Sequence, residues 1–218
     1  MHEHTLSNYE KTCLEWIQRF KKMDQDRLME LLPELKAEGD YLTLYHFHHK
    51  YGIHRKTGEI ADLEEDLPVS STLKLNIYTL LGYVTPHAHF QDQWVPFEKL
   101  KNMGPFGPAF KKGILQPYAA TFSGHMPELE QALIRMGGEK IPYSDVGYQV
   151  KAFECIPARF LFWEGDDEFP AQANMLFDAS ATDFIHGESI VSIAMIGLDM
   201  LSKYTGLPLT KGAFLINS

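Results

Sequence analysis

Residues Arg159 to Asp178 carry the sequence Arg-Phe-Leu-Phe-Trp-Glu-Gly-Asp-Asp-Glu-Phe-Pro-Ala-Gln-Ala-Asn-Met-Leu-Phe-Asp. Its almost wholly apolar beginning, residues 159–163, predicts a strand that is buried on both faces and therefore central in a sheet. The acidic residues 164–168 predict a turn, in which Gly165 supplies an unusual backbone angle. Residues 173–177 predict a further strand. Core residues and carboxylates lie closer together here than elsewhere in the chain, so we expect this stretch to organise the fold.

Helices and strands are segregated along the rest of the chain. A capping box at Ser7-Asn-Tyr-Glu opens a first helix, and alternating residues predict a hairpin over residues 41–58. Further helices begin near Pro68 and Pro127, and a long one runs from Glu188 to Tyr204. Since strand–helix units do not alternate, the expected fold class is α+β: an antiparallel sheet of about five strands packed with helices, with a long C-terminal helix.

The same pattern suggests how the chain is divided. We expect residues 1–38 to form a helical segment packed on the core, residues 39–206 to form the α+β domain, and residues 207–218 to form a tail. The second helix of the first segment should kink or break at Pro33. Residues 94–118 contain several prolines and glycines with short helical pieces between them, which predicts an irregular excursion at the surface.

The charge balance excludes several classes of partner. Twenty basic and 29 acidic residues give a net charge of -9, and the basic residues form no cluster. This argues against nucleic acid and against an anionic membrane as partners, and no apolar run approaches the roughly 20 residues of a membrane span. The N-terminal Met-His-Glu-His-Thr lacks the basic and apolar regions of a signal peptide, so a cytoplasmic location is expected.

The chain has two cysteines, Cys13 on the apolar side of a predicted helix and Cys155 at the end of a predicted strand. Buried free thiols are expected in preference to a disulfide or a reactive pair. Two cysteines also cannot supply the four thiolates of a usual iron–sulfur cluster.

One pair of histidines has the spacing of a metal site. Residues two apart on a strand share a face, so His46 and His48 could bind one zinc or other divalent ion. His54 or a distant carboxylate would complete such a site. The alternative is a polar strand face that simply meets solvent, and ten histidines in the chain make close pairs common by chance.

The acidic turn offers four carboxylates within residues 164–168. Packed together they would repel one another and favour a hard cation or a cationic partner, and paired carboxylates also serve general acid–base catalysis. The alternative is a hairpin tip whose charges face water. Ser123-Gly-His125 places a hydroxyl near an imidazole, but a cap for the helix that follows is the expected role.

The block from Trp163 to Ala171, followed by Met175-Leu-Phe-Asp178 and a helix led by Glu188, resembles an uncharacterised family, the "domain of unknown function 3786" group of bacteria and archaea, which is common in anaerobes. The resemblance extends from about Gly39 to Tyr204. It implies the α+β fold and names no catalytic residue. Some members are described as iron–sulfur cluster proteins, which implies service to a redox or corrinoid system, but this chain lacks the cysteines to carry that role over.

The leading hypothesis is a non-catalytic domain that binds a small ligand, a cofactor or a partner protein around the acidic turn. Trp163 and Phe169 would anchor the hairpin in the core, and Gly165 would permit the turn. The side chains that face the ligand or partner would be those of Asp166, Asp167 and Glu168, and Asp178 is included in the candidate binding set.

Two other hypotheses stay open on the sequence alone. In one, the protein is a metal-dependent enzyme in which the acidic turn, with Asp178 or with His46 and His48, holds the ion and moves protons. In the other, it is a structural accessory domain. The cofactor, if there is one, is unknown at this stage.

Overall fold

Two antiparallel sheets form the framework of the protein in a computed structural model that describes residues 7–214. The first has four strands in the order β1-β2-β3-β4, and the second has five in the order β5-β9-β8-β7-β6. The strands are β1 Lys36–Glu38, β2 Tyr41–His46, β3 His49–His54, β4 Ile60–Asp62, β5 Trp94–Pro96, β6 Glu139–Lys140, β7 Val146–Phe153, β8 Ile156–Trp163 and β9 Gln172–Asp178.

Two helices precede the first strand, others lie between strands, and two follow the last strand. They are α1 Asn8–Phe20, α2 Gln25–Leu31, α3 Ser71–Tyr83, α4 Gly107–Phe110, α5 Gln116–Phe122, α6 Met126–Arg135, α7 Ala181–Phe184 and α8 Gly187–Thr205. A π-helical segment, Lys111–Leu115, joins α4 to α5, and short 3₁₀ turns occupy Phe97–Lys99 and Gly104–Phe106. The α+β class and the long C-terminal helix are therefore confirmed. The predicted hairpin over residues 41–58 lies in the four-stranded sheet, which is separate from the sheet that contains β8.

Strand β8 is the middle strand of the larger sheet, as its apolar sequence predicts. Phe160 and Phe162 point into the core, and the Tyr118 ring packs against both of them. Helix α8 covers this layer through Gly197. A Cβ atom at that position would lie 2.8 Å from Cζ of Phe160. The glycine therefore sets how closely α8 approaches the sheet.

The N-terminal helices pack on this core. Helix α1 begins with the expected capping box, and Trp16 stacks on Tyr78 of α3 with ring centroids 6.4 Å apart. Helix α2 ends at Leu31, before Pro33, and residues 36–38 form strand β1 instead of helix. Residues 1–6 and 215–218 of the predicted N-terminal segment and tail lie outside the described part, and the division of the chain stays a prediction.

The stretch 94–118 does contain the expected short helical pieces, but the expectation that it is an irregular excursion at the surface is wrong. Residues 94–96 form edge strand β5, and residues 107–122 form one continuous helical run whose Phe110, Ile114 and Tyr118 are buried. The prolines mislead because Pro108 stands in a first helical turn, where its missing N–H costs nothing. Pro117 is accommodated by the π-helical segment described below. Between residues 7 and 214, no helix has the length and apolarity needed to cross a membrane.

A candidate ligand groove beside the acidic turn

A groove of about 880 Å³ opens between the acidic turn and the helical run over residues 107–122. The turn and the beginning of β9 form one wall, which contributes Gly165, Asp166, Asp167 and residues 169–173. The helical run forms the other wall, whose lining residues are Lys111, Leu115, Gln116, Ala119, Ala120 and Ser123. The groove therefore lies where the sequence placed its most probable functional surface.

The groove exists because small side chains face each other across it. Ala119 and Ala120 line the helical wall, and Ala171 and Ala173 line the strand wall. Larger apolar side chains at these four positions would fill the space between α5 and β9, as they do elsewhere in the core. The alanines leave an apolar floor that is open to solvent.

The acidic turn is held in one shape by its own backbone. One Asp166 carboxylate oxygen accepts from the backbone N–H groups of Glu168 and Phe169, each at 2.8 Å. The backbone N–H of Asp166 donates to the Phe169 carbonyl at 2.8 Å. These backbone hydrogen bonds, first that from Phe169, lower the pKa of Asp166 below its ordinary value. Asp166 is therefore a fixed anion at neutral pH.

Gly165 is required for a reason other than the predicted one. Its φ angle lies outside the left-handed region, but a Cβ atom there would lie 2.5 Å from the Ala171 backbone nitrogen and 2.8 Å from the Phe169 carbonyl oxygen. The two arms of the turn pass too close together for any side chain at this position. Because it has no side chain, Gly165 allows the two arms of the turn to approach each other this closely.

Glu164 ties the turn to the opposite wall. Its carboxylate accepts from the Ser123 hydroxyl at 3.0 Å and from the Gly124 backbone N–H at 2.9 Å, while its own N–H donates to Asp145 at 2.8 Å. Burial raises the pKa of Glu164, but hydrogen bonds from Gly124, Gly165 and Ser123 outweigh it and lower the pKa below its ordinary value. The expected capping role of Ser123 is wrong, because α6 has no side-chain cap.

The two aromatic residues of the turn are not core anchors. Trp163 is 39% exposed and Phe169 is 62% exposed, so the expected anchoring role is wrong for both. Even-numbered residues 158, 160 and 162 of β8 face the core, which turns Trp163 outward by strand alternation. Phe169 lines the groove, whereas Trp163 and Glu168 do not.

Asp178 belongs to a different structure at the far end of β9. It is 1% exposed and accepts from the backbone N–H groups of Gln91 at 3.1 Å, Gln93 at 3.0 Å and Ser180 at 3.0 Å, and from the Ser180 hydroxyl. Burial raises its pKa, but these hydrogen bonds prevail and lower it. Asp178 thus fastens the segment before β5 to the sheet, away from the groove.

The strand geometry that suggested a metal site at His46 and His48 is wrong. Strand β2 ends at His46, and Phe47 and His48 follow in the left-handed region with φ of 48° and 65°. His46 is buried between the sheets with its ring 4.3 Å from that of Phe153, whereas His48 is exposed. Among residues 7–214, no group of three or more His, Cys, Asp or Glu side chains could hold a metal ion.

The π-helical segment in the helical wall has a covalent cause. In an α-helix the Gly113 carbonyl would accept from the N–H of residue 117, but Pro117 has none. The chain widens by one residue here, and the Gln116 N–H donates to the Lys111 carbonyl, five residues back. Lys111 and Leu115 of this segment line the groove, and so does Gln116 directly after it. Sequence reasoning missed this feature, although Pro117 itself signalled it.

The fold and the groove together define an α+β domain whose acidic turn, helical wall and alanine floor form one open cleft. The chain belongs to the family described as Domain of unknown function (DUF3786), whose profile matches residues 26–200. This confirms the resemblance carried by the Trp163–Asp178 block. Searches of the curated proteins and of the solved structures found no match.

Proposed function

We propose that this protein is a small-molecule-binding domain and that the groove beside the acidic turn is its binding site. The observation that carries the proposal is the groove itself. An open cleft of about 880 Å³ with an apolar floor and a few polar groups has the size and composition of ligand sites in general. All residues that line the groove lie within residues 26–200, the part of the chain that matches the family.

The charges of the groove indicate what kind of ligand would fit. Asp166 and Asp167 line one wall, and Lys111 lines the other. Within residues 7–214, neither Asp167 nor Lys111 forms an ion pair with an oppositely charged side chain. The exposed Phe169 ring offers a surface for stacking. A molecule with an apolar body and polar or charged ends would satisfy these groups.

Binding is favoured over proton-transfer chemistry by the state of the carboxylates. A catalytic acid or base at neutral pH needs a pKa near the working pH. For a carboxyl group, burial usually raises the pKa towards that value. Asp166 and Glu164 have lowered pKa values instead, since backbone N–H groups stabilise their charged forms. Such carboxylates are suited to holding a cationic or hydrogen-bond-donating group.

A capture experiment tests this proposal without knowledge of the ligand. The protein is incubated with the small-molecule fraction of a bacterial extract, separated by gel filtration and denatured, and the released compounds are identified by mass spectrometry. An Ala120→Trp variant fills the groove from an exposed helix position, and an Ile134→Trp variant adds the same ring at an exposed position on α6, which does not line the groove.

We expect the unmodified protein and the Ile134→Trp variant to enrich the same compound, and the Ala120→Trp variant to lose at least tenfold of that enrichment. A tenfold loss corresponds to about 1.4 kcal/mol of binding free energy. Equal enrichment by all three proteins, or none by any, would contradict the proposal.

A further inference from the structure

The segment after α8 is docked along the helical wall of the groove, on the side away from the ligand space. Gly206, with φ of 72°, ends α8 in the left-handed conformation and redirects the chain. The Thr210 N–H then donates to the Thr121 hydroxyl at 3.1 Å, and the Phe214 N–H donates to the Gly113 carbonyl at 3.0 Å. We call residues 207–214 the strap.

The strap supplies a donor to a carbonyl whose α-helical donor is missing. Pro117 removes the N–H that would donate to the Gly113 carbonyl in an α-helix, and the Phe214 N–H donates to this carbonyl at 3.0 Å. A buried carbonyl without a donor would destabilise the helix. The docked strap therefore stabilises the π-helical segment that Pro117 creates.

Gly113 also makes room for the Phe214 side chain. A Cβ atom at residue 113 would lie 2.4–2.5 Å from three atoms of the Phe214 ring. The ring thus rests directly on the helix backbone at the point where the carbonyl accepts its hydrogen bond. Any larger residue at position 113 would push the strap away.

The groove and the strap share one helical wall. Lys111, Leu115 and Gln116 project from it towards the groove, and Gly113 and Thr121 contact the strap. A change in the hydrogen-bond register around Gly113 would rotate the residues on both sides of it, because successive side chains on a helix are set about 100° apart. The groove lining thus depends on where the strap lies.

We propose that the strap is a conformational control built into the fold: its docking stabilises the π-helical segment that Pro117 creates, and its release reshapes the groove. The role of the reshaped groove in ligand binding rests on the function proposed above, but the coupling between strap and wall does not. Because linkage is reciprocal, a ligand that fits the groove in its π register also favours the docked strap.

Gly113→Ala provides a test in the full-length protein without any ligand. Alanine is the better helix former by about 1 kcal/mol, so local propensity alone predicts slower amide exchange in the helix. Displacement of the strap predicts the opposite. We expect amide exchange over residues 111–122 to become roughly tenfold faster, the size that loss of one buried hydrogen bond implies. Lys112→Ala, at an exposed neighbouring position, should leave exchange unchanged.

Pro117→Ala separates the strap from simple overpacking. Alanine at 117 restores an N–H that can satisfy the Gly113 carbonyl within the helix. In that background, Gly113→Ala should accelerate exchange much less than in the unmodified protein. Slower or unchanged exchange in Gly113→Ala, or an equal acceleration in both backgrounds, overturns the proposal.

A cysteine introduced into the groove measures whether displacement of the strap changes the groove. Ala119→Cys introduces a reporter at a groove position that is 7% exposed, and alkylation by iodoacetamide is followed on its own peptide. Adding Gly113→Ala should change the alkylation rate severalfold. An unchanged rate overturns the coupling to the groove while leaving the capture result untouched, so failure of this inference and failure of the proposed function are distinguishable.

Discussion

His46 shows how one side chain can fasten two sheets together. Its Nδ1–H donates to the Ala152 carbonyl of β7 at 2.5 Å, and the Phe47 N–H donates to the same oxygen at 3.0 Å. Within the described residues, Nε2 is buried without a hydrogen-bond partner. The ring is thus neutral and serves as a structural link between β2 and β7.

This burial predicts a pH-dependent stability. Desolvation, only partly offset by the Ala152 hydrogen bond, lowers the pKa of His46 to about 4. The ordinary value of about 6.5 applies to the unfolded chain, which therefore binds more protons between these two values. The free energy of unfolding should fall as the pH is lowered from about 6.5 towards 4, by up to about 1.4 kcal/mol per pH unit.

Urea unfolding between pH 7 and pH 5 measures this contribution before the carboxylates with lowered pKa values begin to titrate. A His46→Phe variant keeps a ring beside Phe153 but has no titratable group, so its stability should be nearly constant over this range. His48→Gln, at the exposed neighbouring position, should retain the slope of the unmodified protein. A slope that persists in His46→Phe would show that another group causes it.

At the scale of the element, helix α8 depends on one missing side chain. Its residues 190, 193, 194, 197, 198 and 201 are buried. Gly197 lies where α8 comes closest to the rings of Phe160 and Phe47. A Cβ atom added at residue 197 would lie 3.1 Å from Cζ of Phe47. Both phenylalanines are only 1% exposed, so neither ring can move out into solvent without opening the core.

Gly197→Ala should therefore destabilise the protein even though alanine favours the helix. The gain in helix propensity is about 1 kcal/mol, whereas overpacking a well-filled core costs about 1–3 kcal/mol. We expect a net loss of about 1 kcal/mol, measured by urea unfolding. Ser192→Ala, at a half-buried position of the same helix, controls for propensity. A stabilised Gly197→Ala protein would mean that α8 can shift outward at little cost.

At the scale of the whole molecule, the N-terminal helices are part of the common core. Cys13, Trp16 and Phe20 of α1 join the same cluster of buried residues as the five-stranded sheet. The sequence predicts a helical segment over residues 1–38 that packs on the core, and packing of this kind couples its unfolding to that of the sheet.

We expect α1 and the five-stranded sheet to unfold in one transition. The chain has three tryptophans, Trp16 in α1 and Trp94 and Trp163 in the sheet. Trp94→Phe with Trp163→Phe leaves only the reporter in α1, and Trp16→Phe leaves only those in the sheet. In each variant, tryptophan fluorescence and far-UV circular dichroism should give the same urea midpoint. An earlier fluorescence midpoint for Trp16 would establish an independently unfolding segment.

The sequence by itself determined the features that depend on neighbouring residues. Hydrophobic period, capping residues and apolar runs are local signals, so they predicted α1, α8, the central position of β8 and the α+β class. The Trp163–Asp178 block likewise pointed to the family and to the acidic turn. The same local reasoning failed at Pro117, because whether a proline breaks a helix depends on what else can satisfy the freed carbonyl.

The tertiary structure alone decided which distant residues meet. The groove requires the alanines of α5 to face Ala171 and Ala173 at the start of β9, and the strap requires Phe214 to reach Gly113. Glu164 likewise finds Ser123 across 41 positions, whereas Asp178, only 14 positions along, lies elsewhere in a buried hydrogen-bond network. Such meetings follow from the packing of whole elements, which no local pattern records. The acidic turn in the sequence thus indicated the location of the candidate site, and the packing of whole elements formed the groove beside it.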